Sequence, residues 1–209
     1  MKHAGAITIT VVGAGALGSH AVLFLRSLDE NIRVIDYDRI EQKNVLAQFH
    51  GKTGVGKNKA QALEQSMNFL FGVKIATFPR KLTPDNDTQL LGGSGLIIDC
   101  LDNAEARRIV QNFARKNNIA CLHGALAANG EFGRVVWDEY FVIDEGGEGM
   151  ATCEGGEHLP FIAMVSAHLA RAAQVWVESR KKIGFNIYPS NASIRILTAI
   201  APPRKGSGT

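Results

Sequence analysis

The stretch that most restricts the fold is residues 7–25, ITITVVGAGALGSHAVLFL. Ile7, Ile9 and Val11 alternate with Thr8 and Thr10, the period-two pattern of a half-buried strand. Gly13, Gly15 and Gly18 then fall at G-x-G-x-x-G spacing, ahead of an apolar segment of helical character. Strand, glycine turn and helix in that order aim backbone N–H groups at an anionic phosphate. An export signal also joins a basic start to an apolar run with small residues, but its core does not alternate. The stretch therefore predicts a strand over Ile7–Val12, a helix from near Ala16 to Ser27, and a nucleotide site between them.

The same rhythm continues downstream. NIRVIDYD reads as a second strand ending in acids, GKNKAQALEQSMNFLF as a helix from about Gly56 to Phe71, and VKIATF as a third strand. GLIIDCLDN is a buried strand running into the helix AEARRIVQNFARKNN, and IACLHG is the next strand. Strands alternating with helices predict an α/β, Rossmann-like, doubly wound, mostly parallel sheet. After Gly124 the pattern changes. GEFGRVVWDEYFVI reads as a strand pair, DEGGEGMATCEGGEH as a loop too poor in apolar residues to pack, Leu159 to Lys182 as a long helix, and ASIRIL as a last strand. These form an antiparallel C-terminal extension. Residues 1–203 are expected to be one domain and 204–209 a disordered tail.

Composition narrows the function classes. A chain of 209 residues with 45% apolar and 21% charged residues suits one soluble domain. A net charge of +3, without a dense Lys/Arg run, argues against a nucleic-acid partner. The most apolar long segment, FIAMVSAHLARAAQVWV, is interrupted by His168 and Arg171, which argues against a membrane span. Cys100, Cys121 and Cys153 lie far apart, which excludes a four-cysteine zinc site and fits a reducing cytoplasm. Cys100 and Cys121 end apolar strands and read as core thiols.

Asp36 lies about 20 residues beyond the glycines, where an acid accepts from a ribose hydroxyl. By those residues alone, an NAD-dependent oxidoreductase is as well supported as any other nucleotide binder. Further residues have the chemistry of a triphosphate site. Lys59 carries a point charge for phosphates, and Asn44 and Gln48 lie four apart, on one face if that turn is helical. Asp102 follows a strand and offers a carboxylate of the kind Mg²⁺ favours. Each has a plainer reading: Asp36 and Asp38 as a strand–loop cap, Lys59 as a solvated charge, Asp102-Asn103 as a helix N-cap.

DYDRIEQKNVLAQFH, GKNKA and DCLDN, in that order after the glycines, resemble the motif series of the ThiF/MoeB/HesA adenylating enzymes. That family includes the catalytic domain of ubiquitin-activating enzymes, and the resemblance runs from about residue 7 to 183. It implies an ATP- and Mg²⁺-dependent adenylyltransferase that activates the C-terminal carboxylate of a ubiquitin-like or sulfur-carrier protein. It implies that Gly13, Gly15, Gly18, Asp36, Asn44, Gln48 and Lys59 hold the nucleotide. Lys59 and Asp102 would be catalytic, with Asp102 on the metal, and the chain would form a homodimer. Cys153, before the long helix, matches a cysteine that in some members takes the acyl group. Glu145, Glu154 and Glu157 nearby raise its pKa, and His158 can pair with its thiolate. His123 is a minor candidate facing the same crevice.

Two departures stand out. The arginine of N-L-x-R-Q-F falls at Ala47, and the first strand starts too early for the leading helices that send an arginine across family dimers. Arg39, Lys43 or Lys57 are the cations expected to supply the missing charge. The competing expectation is a weakened member that serves as a scaffold or partner subunit.

Overall fold

The computed structural model describes residues 5–127, 129–143, 156–189 and, for the backbone, 194–197. Its first half is built from five strands: β1 (Thr8–Val12), β2 (Asn31–Ile35), β3 (Ala76–Phe78), β4 (Leu96–Asp99) and β5 (Ala120–Leu126). They pair in parallel in the order β3-β2-β1-β4-β5. β6 (Gly133–Trp137), β7 (Gly184–Ile187) and β8 (Ile194–Leu197) continue the same sheet with antiparallel pairing.

Alternation along the strands feeds two cores. Ile9, Val11, Val34, Leu96, Ile98 and Leu122 point to one face, where α1 (Ala16–Leu25), α2 (Lys59–Phe71) and α5 (Leu159–Ser179) cover them. Val12, Ile35, Ile97 and Cys121 point to the other, under α3 (Asp87–Leu91) and α4 (Ala104–Lys116). Strands buried on both faces read as continuous apolar runs, which is why IIDC-type segments stand out in sequence. α5 also lies along α1, where Ser166 Oγ donates to Leu17 O at 3.1 Å.

Several boundaries differ from expectation, each for a local reason. α2 starts at Lys59, not Gly56, because Asn58 caps it by accepting from Gln61 N, while Gly56 sits outside at φ +85°. α5 stops at Ser179, because Arg180 turns left-handed at φ +59°. Helix α1 ends at Leu25, and β3 keeps only Ala76–Phe78 of its segment. The expected strand pair after Gly124 is a single strand, β6. Its partner is the long β5, and the residues after it form a 3-10 turn, Asp138–Tyr140. α3 and β7 are short and weakly periodic, and the sequence by itself does not predict them.

Candidate functional site

At the carboxyl ends of the parallel strands lies a cleft of about 720 Å³. This is where open α/β sheets receive ligands. The glycine turn forms its floor, and its three glycines do different jobs. Gly13 has φ +93°, and a Cβ there would stand 2.9 Å from Cys100 O. A Cβ on Gly18 would stand 1.8 Å from Gly13 O, so only glycine lets α1 pack this close to β1. A Cβ on Gly15 would meet nothing within 4 Å. Gly15 caps α1 without a side-chain bond and lines the cleft. Two glycines therefore close the turn, and the third leaves room at a helix N-terminus for an anion.

Asp36 ends β2 beside this turn. Its Oδ2 accepts from Ala14 N at 2.6 Å and its Oδ1 from Asp38 N at 2.8 Å. Burial raises its pKa, partly offset by the Ala14 bond and by nearby Lys59. The carboxylate both organises the strand–loop junction and lines the cleft, and each oxygen retains a second lone pair for a ligand hydroxyl. Asn58 Nδ2 donates to Asp36 O and Asp38 O, which fixes the start of α2 against this junction. Lys59 follows. It is 9% exposed, not a solvated surface charge, and its Nζ lies 3.2 Å from Asp38 Oδ2.

Asn44 and Gln48 share one turn, with Gln48 N donating to Asn44 O at 2.9 Å, and both line the cleft. Asn44 Oδ1 accepts from Glu41 N, and Gln48 Oε1 is buried with no partner. His50 sits behind them. Burial lowers its pKa to about 4, so the ring is neutral at pH 7 and its Nε2–H donates to Ala14 O at 2.9 Å. Asp102 and Asn103 divide the tasks that the sequence left open. Asn103 caps α4 by accepting from Ala106 N, while exposed Asp102 lines the cleft.

Behind Asp102 lies a network that sequence reasoning missed. Arg107 reaches back from α4 to Asp99 Oδ2 (3.0 Å), to Gly124 O (2.9 Å) and to Leu101 O. His123 does not face the crevice. It is fully buried, with Nδ1 2.7 Å from Asp99 and Nε2 3.1 Å from Asp138, and Phe141 stacks on the ring. Burial alone disfavours the imidazolium, but the bonds to Asp138 and Asp99 outweigh it and push the pKa up to about 11. Burial is likewise overruled at Asp138, where His123, Arg115 and Gln111 bring the pKa down to about 2. These partners are 15 to 27 residues apart in sequence, and no local pattern announces them.

The cationic wall also differs from expectation. Ala47 is fully buried in the apolar core and does not border the cleft. Of the three proposed substitutes only Lys43 lines it. Arg39 donates to Gly56 O and Lys57 to Gln65 Oε1, both away from the site. Arg80 and Lys81, from the segment between β3 and α3, line the far wall instead. A pair of cations between two prolines at a strand's carboxyl end, FPRKLTP, was the available signal. Cys153 lies outside the described residues. Cys121 is the buried core thiol expected, whereas Cys100 is half-buried and lines the cleft because it sits in the turn that follows β4; burial raises the thiol pKa of both.

The lining suits a nucleotide and its metal. There is an open glycine at a helix N-terminus, an acid at the end of β2, and basic side chains around the rim. Among the described residues no cluster of three or more His, Cys, Asp or Glu forms a protein-only metal cage. One carboxylate such as Asp102 fits Mg²⁺ that also keeps phosphate oxygens and water. No described helix is long and apolar enough to cross a membrane.

Known proteins resemble the chain to different degrees. The chain is 33% identical over 125 residues to an adenylyltransferase and sulfurtransferase of Lodderomyces elongisporus, covering 58% of this chain and 26% of that protein. It is 31% identical over 130 residues to the sulfur carrier protein ThiS adenylyltransferase of Bacillus subtilis, covering 60% and 38%. The matched stretch thus spans about a quarter to two fifths of these relatives. Two crystal structures share the fold: E. coli MccB with MccA-N7isoASN (TM-score 0.75, 14% identity, 91% of this chain, 64% of that one) and selenomethionine PaaA (0.72, 19%, 91%, 63%). The sequence model of the ThiF family matches residues 1–170, so the chain belongs to the ThiF family.

Proposed function

We propose that the protein is an ATP-dependent adenylyltransferase. A substrate carboxylate oxygen attacks the α-phosphorus of ATP, pyrophosphate leaves, and an acyl-adenylate forms. The observation that carries this reading is the convergence of Gly15, Asp36, Lys59 and Asp102 on one cleft. The Gly15 opening and the α1 N-terminus receive phosphate charge, and Asp36 accepts from the ribose. Lys59 leaves Asp38 for the α- and β-phosphates, and Asn44 and Gln48 hydrogen-bond phosphate oxygens. Asp102 would hold Mg²⁺, which when bound neutralises phosphate charge. Almost all of the rate enhancement would then come from positioning and electrostatics. An NAD-dependent oxidoreductase would leave Lys59 and Asp102 without a task.

The substrate class we favour is the C-terminal carboxylate of a ubiquitin-like or sulfur-carrier protein, with the enzyme a cytoplasmic homodimer. The name of the B. subtilis relative, which specifies a sulfur carrier, supports that class. Activity rather than a scaffold role is supported by the cleft itself: Ala47 leaves no gap in it, and Lys43, Lys59, Arg80, Lys81 and Arg107 supply positive charge along it. Cys153 would take the acyl group from the adenylate as a thioester, releasing AMP.

Calorimetry with ATP·Mg²⁺ and with NAD⁺, followed by carboxylate-dependent ATP–pyrophosphate exchange, tests the reading. Lys59→Ala and Asp102→Ala should each lower exchange by about 10²–10³-fold, the usual effect of removing one electrostatic contact to a transition state. Exchange unchanged in both variants, or binding of NAD⁺ without ATP, would overturn it.

A further inference from the structure

Ala14, between Gly13 and Gly15, is fully buried and is held at both of its polar ends. Asp36 Oδ2 accepts from its N–H at 2.6 Å, and His50 Nε2 donates to its carbonyl at 2.9 Å. The second grip comes from far along the chain, and the segment that brings it is fastened to α1. Phe49 N donates to Ser19 Oγ at 2.9 Å, and Ser19 N in turn donates to Gly15 O at 3.0 Å. Gln48, on one side of Phe49, lines the cleft. His50, on the other, is 5% exposed and stands behind it.

A carbonyl only accepts, so His50 Nε2 carries the ring hydrogen and Nδ1 is left bare. Nδ1 is buried and has no partner. Burial, Lys59 and His20 all oppose a second proton on the ring. The imidazole is thus a neutral donor whose one hydrogen bond among the described residues goes to Ala14 O. That carbonyl belongs to the Ala14–Gly15 peptide unit, which is planar and trans, so its C=O and N–H point in opposite directions. Holding Ala14 O inward toward His50 turns the Gly15 N–H to the other side. None of the backbone bonds among the described residues engages that N–H, and Gly15 lines the cleft at the N-terminus of α1.

We infer that His50 is a positioning residue of the nucleotide site: by gripping Ala14 O it fixes the Ala14–Gly15 peptide with its N–H aimed at a bound phosphate. The inference rests on the nucleotide reading of the cleft and names the side chain that sets its anion donor. Flanked by two glycines, this part of the turn is free to rotate unless it is held. Asp36 fixes only the peptide unit before Ala14, and the soft dihedrals of Ala14 separate that unit from the next. The His50 bond fixes the second unit. The Gly15 N–H is therefore oriented before the ligand arrives, and binding a phosphate requires no reorganisation of the turn.

The test compares His50→Gln with His50→Asn in the full chain. The amide nitrogen of glutamine falls near the place of Nε2 and reaches Ala14 O, while that of asparagine falls near Nδ1 and does not. ATP·Mg²⁺ affinity by calorimetry should fall about fivefold in His50→Asn, the usual effect of losing one neutral hydrogen bond, and recover in His50→Gln. In spectra of protein labelled with ¹⁵N-glycine, ATP·Mg²⁺ should shift the Gly15 amide in wild type and His50→Gln, and shift it less in His50→Asn. A merely structural His50 would lower the thermal midpoint of the variants but leave that resonance and the affinity of the folded protein unchanged. Should asparagine prevent folding, His50→Phe, which keeps the ring without the donor, takes its place. Equal affinity in wild type and variants, or a Gly15 amide indifferent to ATP·Mg²⁺ in wild type, overturns the inference. A shifted Gly15 amide with graded affinities but no carboxylate-dependent exchange leaves the inference standing and sinks adenylation. Exchange in all three proteins with equal ATP affinities does the reverse.

Discussion

Identical residue types do opposite things here, depending on what surrounds them. Gly18 and Gly15 belong to one motif, yet a methyl group at Gly18 collides with backbone while one at Gly15 projects into the cleft. Gly18→Ala should cost about 3 kcal/mol or more, at the top of the range for overpacking, because the atom it meets is a carbonyl that cannot rotate away. Gly15→Ala should change stability by less than about 1 kcal/mol and weaken ATP binding at least tenfold. Urea unfolding and calorimetry separate the two effects, and the reverse ranking would refute this division of labour. The spacing of the glycines was legible in the sequence. Which glycine opens onto the cleft was not, because that depends on where Cys100 O and Gly13 O come to lie. Asp102 and Asn103 teach the same lesson, since both are common helix caps and only geometry shows that Asn103 caps while Asp102 lines the cleft.

At the scale of elements, α4 is held to the sheet by charge as well as by apolar contact. Arg107, Gln111 and Arg115 lie along its inner side and meet Asp99 or Asp138, with His123 between the two acids. Arg107 also grips Leu101 O, so the clamp fixes the turn that carries Asp102. Because the folded pKa of His123 lies above its unfolded value, its contribution is full below about pH 6.5. It is then lost as pH rises toward 11. Asp138 works in the other direction: its folded pKa is depressed, so its contribution is present above about pH 4 and lost as pH falls toward 2. Stability from this clamp should therefore be greatest between about pH 4 and 6.5 and decline on the alkaline side by at most about 1.4 kcal/mol per pH unit. His123→Gln should cost about 3–5 kcal/mol at pH 6, since it leaves buried acids short of a partner. The difference from wild type should shrink by pH 9.5. Urea unfolding of both proteins across that range gives the answer, and a constant difference would mean that His123 is not charged in the native state.

For the whole molecule, one sheet passes without interruption from the parallel to the antiparallel half. α1 and α5 lie side by side across that junction, and the apolar core beneath them takes residues from both halves. We expect residues 1–203 to unfold as one cooperative unit. Trp137 on β6 and Trp176 on α5 are neighbours, with ring centroids 6.2 Å apart, so their fluorescence reports the antiparallel half. Far-UV circular dichroism reports the helices throughout. Coincident urea transitions by the two probes are the expected result, and two separated midpoints would mean that the halves are independent domains.

Periodicity determined most of the architecture from the sequence alone. Long apolar runs such as those of β1 and β4, and the long helices, follow from which residues must leave water, and the motif order identified the family. Segments without a strong period, α3 and β7, stayed illegible because their folding is decided by neighbours far along the chain. The site divides in the same way. Gly13, Gly15, Gly18, Asp36, Asn44, Gln48, Lys59 and Asp102 could be named as candidates because they sit in ordered local motifs, and the fold gathers all of them but Gly18, which packs α1 against β1, along one cleft. Burial of Ala47, entry of Arg80 and Lys81 into the wall and the bonding of His123 between Asp99 and Asp138 come only from the tertiary structure. Hydrogen bonding and desolvation act between residues close in space, and sequence separation does not encode that distance.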